Sequence, residues 1–303
     1  MKATIYKSTG SWYTAKTKEG KTWPCRIRGK LKMDTEITST NPVAVGDEVE
    51  MMVEDNGAAA SLSEVLRRRN YLVRSSPHNI SQKHIIAANL DLAILVASIR
   101  DPRTSQGFID RFLVTAAAYH IAVLILFNKL DIYRQKDRVK LDLLSSIYQN
   151  AGYQVLTTSH EEKQGQEALI AVLGTGTTLF IGHSGVGKTS LINRIIPGMD
   201  LKTREISGWS GKGVHTTTFA EMYDLPTAGR VIDTPGIREF GIVDMSRSEL
   251  SHYFPEMKAL LEHCRFNNCV HLDEPGCAVK QALEAGRLHP ERYISYVSIL
   301  ESL

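Results

Sequence analysis

A small β-barrel, then a doubly wound α/β domain, then a short and mainly helical unit is the multidomain α/β architecture this sequence predicts. Three observations predict it. Short, partly alternating runs broken by turn residues fill about the first 70 positions. From residue 85 near-continuous apolar runs alternate with helical patterns, as in a parallel sheet covered on both faces. Three of the four cysteines lie between positions 264 and 277. The expected boundaries are 1–72, 73–243 and 244–303, and a length of 303 residues suits two ordinary domains with a small third.

In the first unit the strand-like runs include Ser11-Trp12-Tyr13-Thr14, Trp23-Pro24-Cys25-Arg26-Ile27-Arg28 and Gly46-Asp47-Glu48-Val49-Glu50-Met51. Turns are marked by Lys18-Glu19-Gly20 and Asp55-Asn56-Gly57. About five such strands in so short a segment suit a small barrel, and the OB-fold is the candidate. Net charge over the whole chain is only +3, which excludes a polybasic protein. Residues 1–74 nevertheless carry 13 Lys and Arg against 9 Asp and Glu, so the whole positive excess sits in the first quarter. Charge alone leaves two readings open, a solvated barrel face or a nucleic-acid surface. Hydrophobic residues make up 43% and charged residues 23%, an ordinary soluble composition. The longest apolar runs fall far below the roughly 20 residues of a membrane helix, and no signal-like segment opens the chain. A cytoplasmic protein with no membrane contact is the expectation.

In the second unit, residues 90–98 and 121–127 read as buried parallel strands. Residues 107–120 lie between them as a helix, with Phe108, Phe112 and Leu113 at helical spacing. A helix over 139–149, a strand over 154–157, a helix over 164–173 and short strands over 178–181 and 230–232 complete the alternation.

Gly182-His183-Ser184-Gly185-Val186-Gly187-Lys188-Thr189 fits G-x-x-x-x-G-K-[ST] between a strand and a helix that runs on through Ser190. Its glycines let successive backbone N–H groups turn inward around a phosphate, and the helix N-terminus adds its dipole. Lys188 then reaches the β- and γ-phosphates and the Thr189 hydroxyl ligates Mg2+. Downstream, Asp233-Thr234-Pro235-Gly236 matches D-x-x-G. About one such match arises by chance in a chain of this length, so its value is its place, 51 residues after Gly182 at a strand end. There Asp233 contacts Mg2+ through water and the Gly236 N–H senses the γ-phosphate. Residues 207–218 between the two motifs are rich in Gly, Ser and Thr, and Thr216 or Thr217 is expected to complete the Mg2+ shell.

Asn128-Lys129-Leu130-Asp131 ends the 121–127 run and matches N-K-x-D. A carboxylate at Asp131 offers paired acceptors to the N1–H and N2–H2 donors of guanine, a pair that adenine lacks, so the motif selects GTP. Asn128 ties the base loop to the phosphate loop and the Lys129 stem covers the base. Thr158-Ser159-His160 follows the next strand and is placed to meet guanine O6 through backbone N–H groups. The base loop precedes the phosphate loop by 54 residues, the reverse of the usual order. A circular permutation explains this, since domain termini lie close together at the surface.

Beyond residue 240 comes Cys264-x4-Cys269-x-His271-x5-Cys277. Three thiolates and an imidazole suit a closed tetrahedral Zn2+ site of structural type. His263 is a rival fourth ligand, although it and Cys264 would share one metal from adjacent positions. Cys25 is expected to be a packed thiol. Residues 290–303 look helical, with Tyr293, Tyr296 and Leu300 on one face turned to the core.

Taken together, these motifs resemble the ribosome small subunit-dependent GTPase A family of bacterial 30S-subunit assembly factors. The carrying residues are 128–131, 182–189, Gly213-Val214-His215-Thr216-Thr217 and 233–236, with Ile109-Asp110-Arg111-Phe112-Leu113 and Glu274-Pro275-Gly276-Cys277. Coverage runs from about Trp12 to about Arg287. Thr158 departs from the family, which usually has Ser there. The resemblance implies an OB-fold, a permuted GTPase domain and a zinc domain. It also implies GTP hydrolysis, stimulated by the 30S subunit during its late maturation; a monomer with the 30S subunit and its rRNA as partners is the expectation. Ile237 stands where many GTPases carry a water-positioning Gln, and by the resemblance His215 is the substitute. Beside a GTPase signature the basic barrel reads as an rRNA-facing surface. One alternative is a GTP-switched RNA-binding scaffold in which hydrolysis only resets affinity. Another, an ATP-dependent regulator without RNA, is opposed by Asn128-Lys129-Leu130-Asp131.

Overall fold

The computed structural model describes residues 1–33, 39, 41–55, 57–75, 83–159, 165–196, 198–199, 201, 219–237, 240, 242 and 245–303. Five strands form the first unit: β1 (Lys2–Ser8), β2 (Tyr13–Thr17), β3 (Thr22–Lys32), β4 (Glu48–Val53) and β5 (Ala60–Val65). They run in the order β1-β2-β3-β5-β4, and a further β1–β4 pairing closes the barrel. Alternate residues point inward, so Ile5, Tyr13, Ala15, Cys25, Val49, Met51 and Leu62 fill it. Cys25 is buried there, as expected of a packed thiol. Neither β1 nor β5 stands out in the sequence, because each mixes one buried row with polar residues.

A hairpin of β6 (Tyr71–Ser75) and β7 (Lys83–Ala88) joins the barrel to the second unit. Asn41 of the barrel clasps it, donating to the Ile85 carbonyl at 2.8 Å and accepting the Ile85 N–H at 2.9 Å. At Gly46, with φ of +93°, a Cβ would lie 2.1 Å from the Ala88 carbonyl oxygen, so only glycine allows this approach.

The second unit is a parallel sheet. Its strands are β8 (Leu92–Ala97), β9 (Val123–Phe127), β10 (Gln154–Thr157), β11 (Thr177–Ile181) and β13 (Arg230–Asp233), with β12 (Glu221–Asp224) antiparallel at one side. The order is β10-β9-β8-β11-β13-β12. Helices α1 (Gln106–Ala118) and α2 (Gln135–Asn150) cover one face; α3 (Gln166–Leu173) and α4 (Lys188–Ile195) cover the other. Along β8, Ala93, Leu95 and Ala97 join the first core while Ile94 and Val96 join the second. Burial on both faces is why these strands read as unbroken apolar runs.

The barrel meets this sheet where β1 pairs with β12 at Lys7 and Glu221. The Lys7 ammonium lies 2.8 Å from Glu221, the Tyr6 hydroxyl donates to Asp224 at 2.6 Å, and Lys16 also pairs with Asp224. Arg68 is buried on Asp47 at 2.6 Å, and Arg26 and Arg28 lie against Glu54. Part of the basic excess is therefore engaged in pairs within the molecule, of which Arg68–Asp47 is the buried one. Lys2, Lys18, Lys21 and Arg67 remain exposed, and Trp12 is 48% exposed beneath Arg26.

The C-terminal unit contains α5 (Pro255–Lys258), α6 (Ala278–Glu284) and α7 (Pro290–Ser302) around Leu250, Phe254, Met257, Val279, Ile299 and Leu300. Tyr296 is buried in that core, and Val114 of α1 reaches into it. A buried ion network pins the unit to the parallel-sheet domain. Arg292 of α7 pairs with Asp110 of α1, and its Nε lies 2.5 Å from Glu256. The Tyr148 hydroxyl of α2 donates to the same Asp110 oxygen at 3.0 Å. Among the described residues no helix is long and apolar enough to cross a membrane.

Candidate functional site

The ends of β9, β10, β11 and β13 converge, and the loops that leave them carry the residues singled out by motif. Residues 182–187 join β11 to α4, whose first residues are Lys188 and Thr189. Gly182, Gly185 and Gly187 have φ of +153°, +80° and +100°, where side-chained residues are strained. Space forbids substitution as well: a Cβ on Gly182 would lie 2.2 Å from the Val96 carbonyl oxygen, and one on Gly187 would lie 2.4 Å from Asn128 Nδ2. Val186 is buried, while Ser184 and Gly185 face solvent. Ser190 continues the first turn of α4.

Lys188 is folded into the loop, and its ammonium donates to the carbonyls of Gly182 and His183 at 3.0 Å each. Burial lowers its pKa to about 8, against the opposing pull of Asp233. Thr189 Oγ1 donates to Asp233 Oδ2 at 2.9 Å, so the phosphate loop and the end of β13 meet at one hydroxyl–carboxylate contact. Gly236 crosses directly over the loop, where a Cβ would sit 2.4 Å from Ser184 Cα. The arrangement suits a phosphate anion and a hard cation: a glycine-rich loop at a helix N-terminus, one ammonium, one hydroxyl and one carboxylate.

A phosphate held in this loop is expected to bind in a pH-dependent way because of this lysine. An anion in the loop stabilises the charged lysine, so binding should take up a proton where free Lys188 is partly neutral. Affinity for GTP should fall above about pH 8, approaching tenfold per pH unit, and stay flat below it. Calorimetry in buffers of different ionisation enthalpy reads the proton uptake directly. A constant affinity from about pH 7.5 to 9.5 would refute it.

Asn128 is the hinge pin between loops. Its Nδ2 donates to the Val186 carbonyl at 2.9 Å and its Oδ1 accepts the Thr158 hydroxyl at 2.9 Å. Lys129, with φ of +68°, donates to the Asp101 carbonyl. Asp131 lies in the short 3-10 turn Leu130–Ile132 and accepts the Ser159 hydroxyl at 3.0 Å. Thr158 and Ser159 are both buried. Three supporting residues carry no motif signal. Tyr133 accepts the Ile99 N–H and donates to the Asn128 carbonyl, both at 2.8 Å. Arg194, at the end of α4, donates to the Ser159 carbonyl at 2.9 Å. Phe108 lies against the His183 ring. His160, His215, Thr216 and Thr217 lie outside the described residues.

A separate cavity of about 250 Å³ opens between the barrel, the β6–β7 hairpin and residues 234–237. It shares only that last segment with the loops above and is not the nucleotide pocket.

In the C-terminal unit, the ligand atoms of Cys264, Cys269, His271 and Cys277 all lie within 4.8 Å of one another. His271 Nδ1 is 3.7 Å from Cys264 Sγ and 3.4 Å from Cys277 Sγ, about the edge of a tetrahedron with metal–ligand bonds near 2.0–2.3 Å. All three cysteines are free thiols, so the donor set fits a metal ion. His263 stands apart, exposed beside Glu262. The surrounding backbone is fastened: Glu274 accepts the N–H groups of Val270 and Leu272 at 2.7 and 2.9 Å, and Tyr293 donates to the His271 carbonyl at 2.7 Å.

Known proteins resemble the chain over its whole length. A family model described as RsgA GTPase matches residues 65–243, and one described as RsgA N-terminal domain matches residues 2–60. The small ribosomal subunit biogenesis GTPase RsgA of Flavobacterium psychrophilum is 48% identical, across 99% of this chain and 93% of its own. Its namesake from Bacteroides fragilis is 46% identical, across 99% and 96%. The crystal structure of YjeQ from Thermotoga maritima has a TM-score of 0.77 at 32% identity, covering 100% of this chain and 98% of its own. YloQ, described as a circularly permuted GTPase, has a TM-score of 0.73 at 31% identity, covering 99% and 94%.

Proposed function

Because the chain belongs to the RsgA GTPase family, we propose that it hydrolyses GTP to GDP and phosphate in the late maturation of the small (30S) ribosomal subunit, stimulated by that subunit. The observation that supports this most is the convergence of base loop, phosphate loop and Asp233 segment, with Asn128 bridging the first two. The chain divides at 1–72, 73–243 and 244–303, is cytoplasmic, and acts as a monomer.

In this reading Asp131 pairs with the guanine edge, the Lys129 stem covers the base, and Thr158 and Ser159 close its O6 side. Residues 182–190 wrap the phosphates, and Lys188 places its charge at the β- and γ-oxygens. Thr189 and Asp233 hold Mg2+, with Thr217 as the further ligand; the ion, when bound, neutralises charge on the phosphate oxygens. Ile237 is aliphatic and buried, so it orients no water. His215 is assigned that task, swung into place by contact with rRNA. Cys264, Cys269, His271 and Cys277 hold one structural Zn2+. The exposed barrel lysines and Trp12 face the rRNA, the lysines neutralising phosphates and the indole offering a stacking plane.

The decisive experiment is GTP turnover with and without purified 30S subunits. Stimulation of about tenfold or more is expected, since the chain's own turnover lacks a positioned water-orienting group at 237. Equal rates would refute subunit-dependent catalysis. That missing group also favours a second reading, a GTP-switched scaffold. A strong difference between GTP-bound and GDP-bound affinity for the subunit, with unstimulated turnover, would select it.

A further inference from the structure

Ile237 comes directly after Gly236, and both sides of this residue are held by the phosphate loop. Its N–H donates to the Gly182 carbonyl at 3.1 Å, and its carbonyl lies 2.8 Å from His183 Nδ1. A carbonyl only accepts, so Nδ1 carries the proton. Coordination of phosphate by residues 182–189 uses backbone N–H groups and places no demand for an imidazole at 183, one of the motif's unspecified positions. The ring is nonetheless fixed on its other side. Its centroid lies 4.0 Å from that of Phe108 on α1, with the planes 33° apart. Phe108 and Phe112 in turn meet Phe240 edge-on, at 6.3 and 5.4 Å. An imidazole is thus braced by α1 and directed at the segment just after the D-x-x-G motif.

We propose that His183 is a positioning residue for GTP hydrolysis: by donating to the Ile237 carbonyl it holds Gly236 against the phosphate loop, where the Gly236 N–H meets the γ-phosphate. The proposal rests on the GTPase reading above. Its consequence is selective. GDP has no γ-phosphate and makes no use of Gly236, whereas GTP and its transition state do. One neutral hydrogen bond supports a change of about tenfold, and no more.

The test uses the full chain and three proteins: wild type, His183→Ala and His183→Asn. The Asn side chain presents an N–H donor at the same distance from the backbone as imidazole Nδ1. Equilibrium binding is measured for GDP and for the non-hydrolysable imido analogue of GTP, and kcat and KM for GTP. His183→Ala should lower kcat about tenfold and lower the triphosphate-to-diphosphate affinity ratio about five- to tenfold, with GDP affinity changed less than about twofold. His183→Asn should recover most of both. Equal loss of GDP and triphosphate affinity, an unchanged kcat in His183→Ala, or no recovery in His183→Asn would assign the ring to loop packing and overturn the proposal. Failure of the wild type to hydrolyse GTP, with or without 30S subunits, would instead overturn the reading on which it rests.

Discussion

An Asp131→Asn variant is expected to bind GTP roughly ten-thousandfold more weakly and to gain affinity for xanthosine triphosphate. The magnitude comes from asymmetry in hydrogen bonding. A carboxylate offers acceptors to both the N1–H and N2–H2 of guanine, and the amide of Asn replaces one acceptor with a donor aimed at a donor. Two polar groups are then left facing each other in a site closed by the base loop, which costs more than the simple loss of a bond. Xanthine carries a carbonyl where guanine has its amine, so the same amide finds an acceptor there. The fold should survive, because Asn matches Asp in volume and position 131 sits in a short turn, where an amide oxygen can still accept the Ser159 hydroxyl. Competition binding with GTP, GDP, ATP and xanthosine triphosphate measures the change. A loss below about tenfold would show that another group reads the base.

How much of this was legible in the sequence depends on where each interaction partner lies along the chain. The phosphate loop is local: three glycines with positive φ, a lysine and a hydroxyl fall within eight positions, and the backbone geometry needs those residue types there. Strands β8 and β9 were legible because alternate side chains enter two cores, giving runs with no polar break. Strands β1, β5 and β12 were not, since one-sided burial in short strands leaves little apolar signal. Helix α2 begins at Gln135, four residues before the 139–149 helix read from the sequence, because Asp137 accepts the Arg134 N–H and caps a polar first turn. The contacts that hold the site together are long-range. Asn128 meets Val186 across 58 positions, and Arg292 meets Asp110 across 182. The N-K-x-D motif anticipates the first, in which Asn128 ties the base loop to the phosphate loop, whereas no periodicity or spacing rule joins Arg292 to Asp110. Charge was half legible. The basic excess of the barrel is real, yet Lys7, Lys16 and Arg68 serve internal pairs, so fewer cations face outward than the residue count implies.

Removing the Zn2+ proposed for Cys264, Cys269, His271 and Cys277 is expected to unfold the C-terminal unit and to weaken its grip on α1. A structural Zn2+ bound by three thiolates and an imidazole contributes about 10–16 kcal/mol of apparent binding free energy, far more than a core this small supplies alone. Cys269 and Cys277 are part of that core, so loss of the ion leaves clustered thiols where side chains must otherwise pack. Glu274, Tyr293 and Tyr296 hold the backbone of Val270, His271 and Leu272, around one of the four ligands. The damage should then spread through Arg292. If α7 withdraws, Asp110 loses its guanidinium partner and part of its cover; where only the guanidinium is removed, the carboxylate left buried costs about 3–5 kcal/mol. Helix α1 carries Phe108 against His183, so the phosphate loop should feel the loss as a several-fold fall in nucleotide affinity, smaller than the Asp131→Asn effect. Metal analysis should find one Zn2+ per chain. Chelation, or Cys277→Ser, should expose residues beyond about 245 to protease and lower the melting temperature by about 10 °C or more. An Arg292→Met variant, which keeps the metal but removes the ion pair, should reproduce the fall in nucleotide affinity without releasing Zn2+. If the chelated protein keeps its melting temperature and its resistance to protease, the four ligands are not a folding centre, and the coupling through Arg292 has no source.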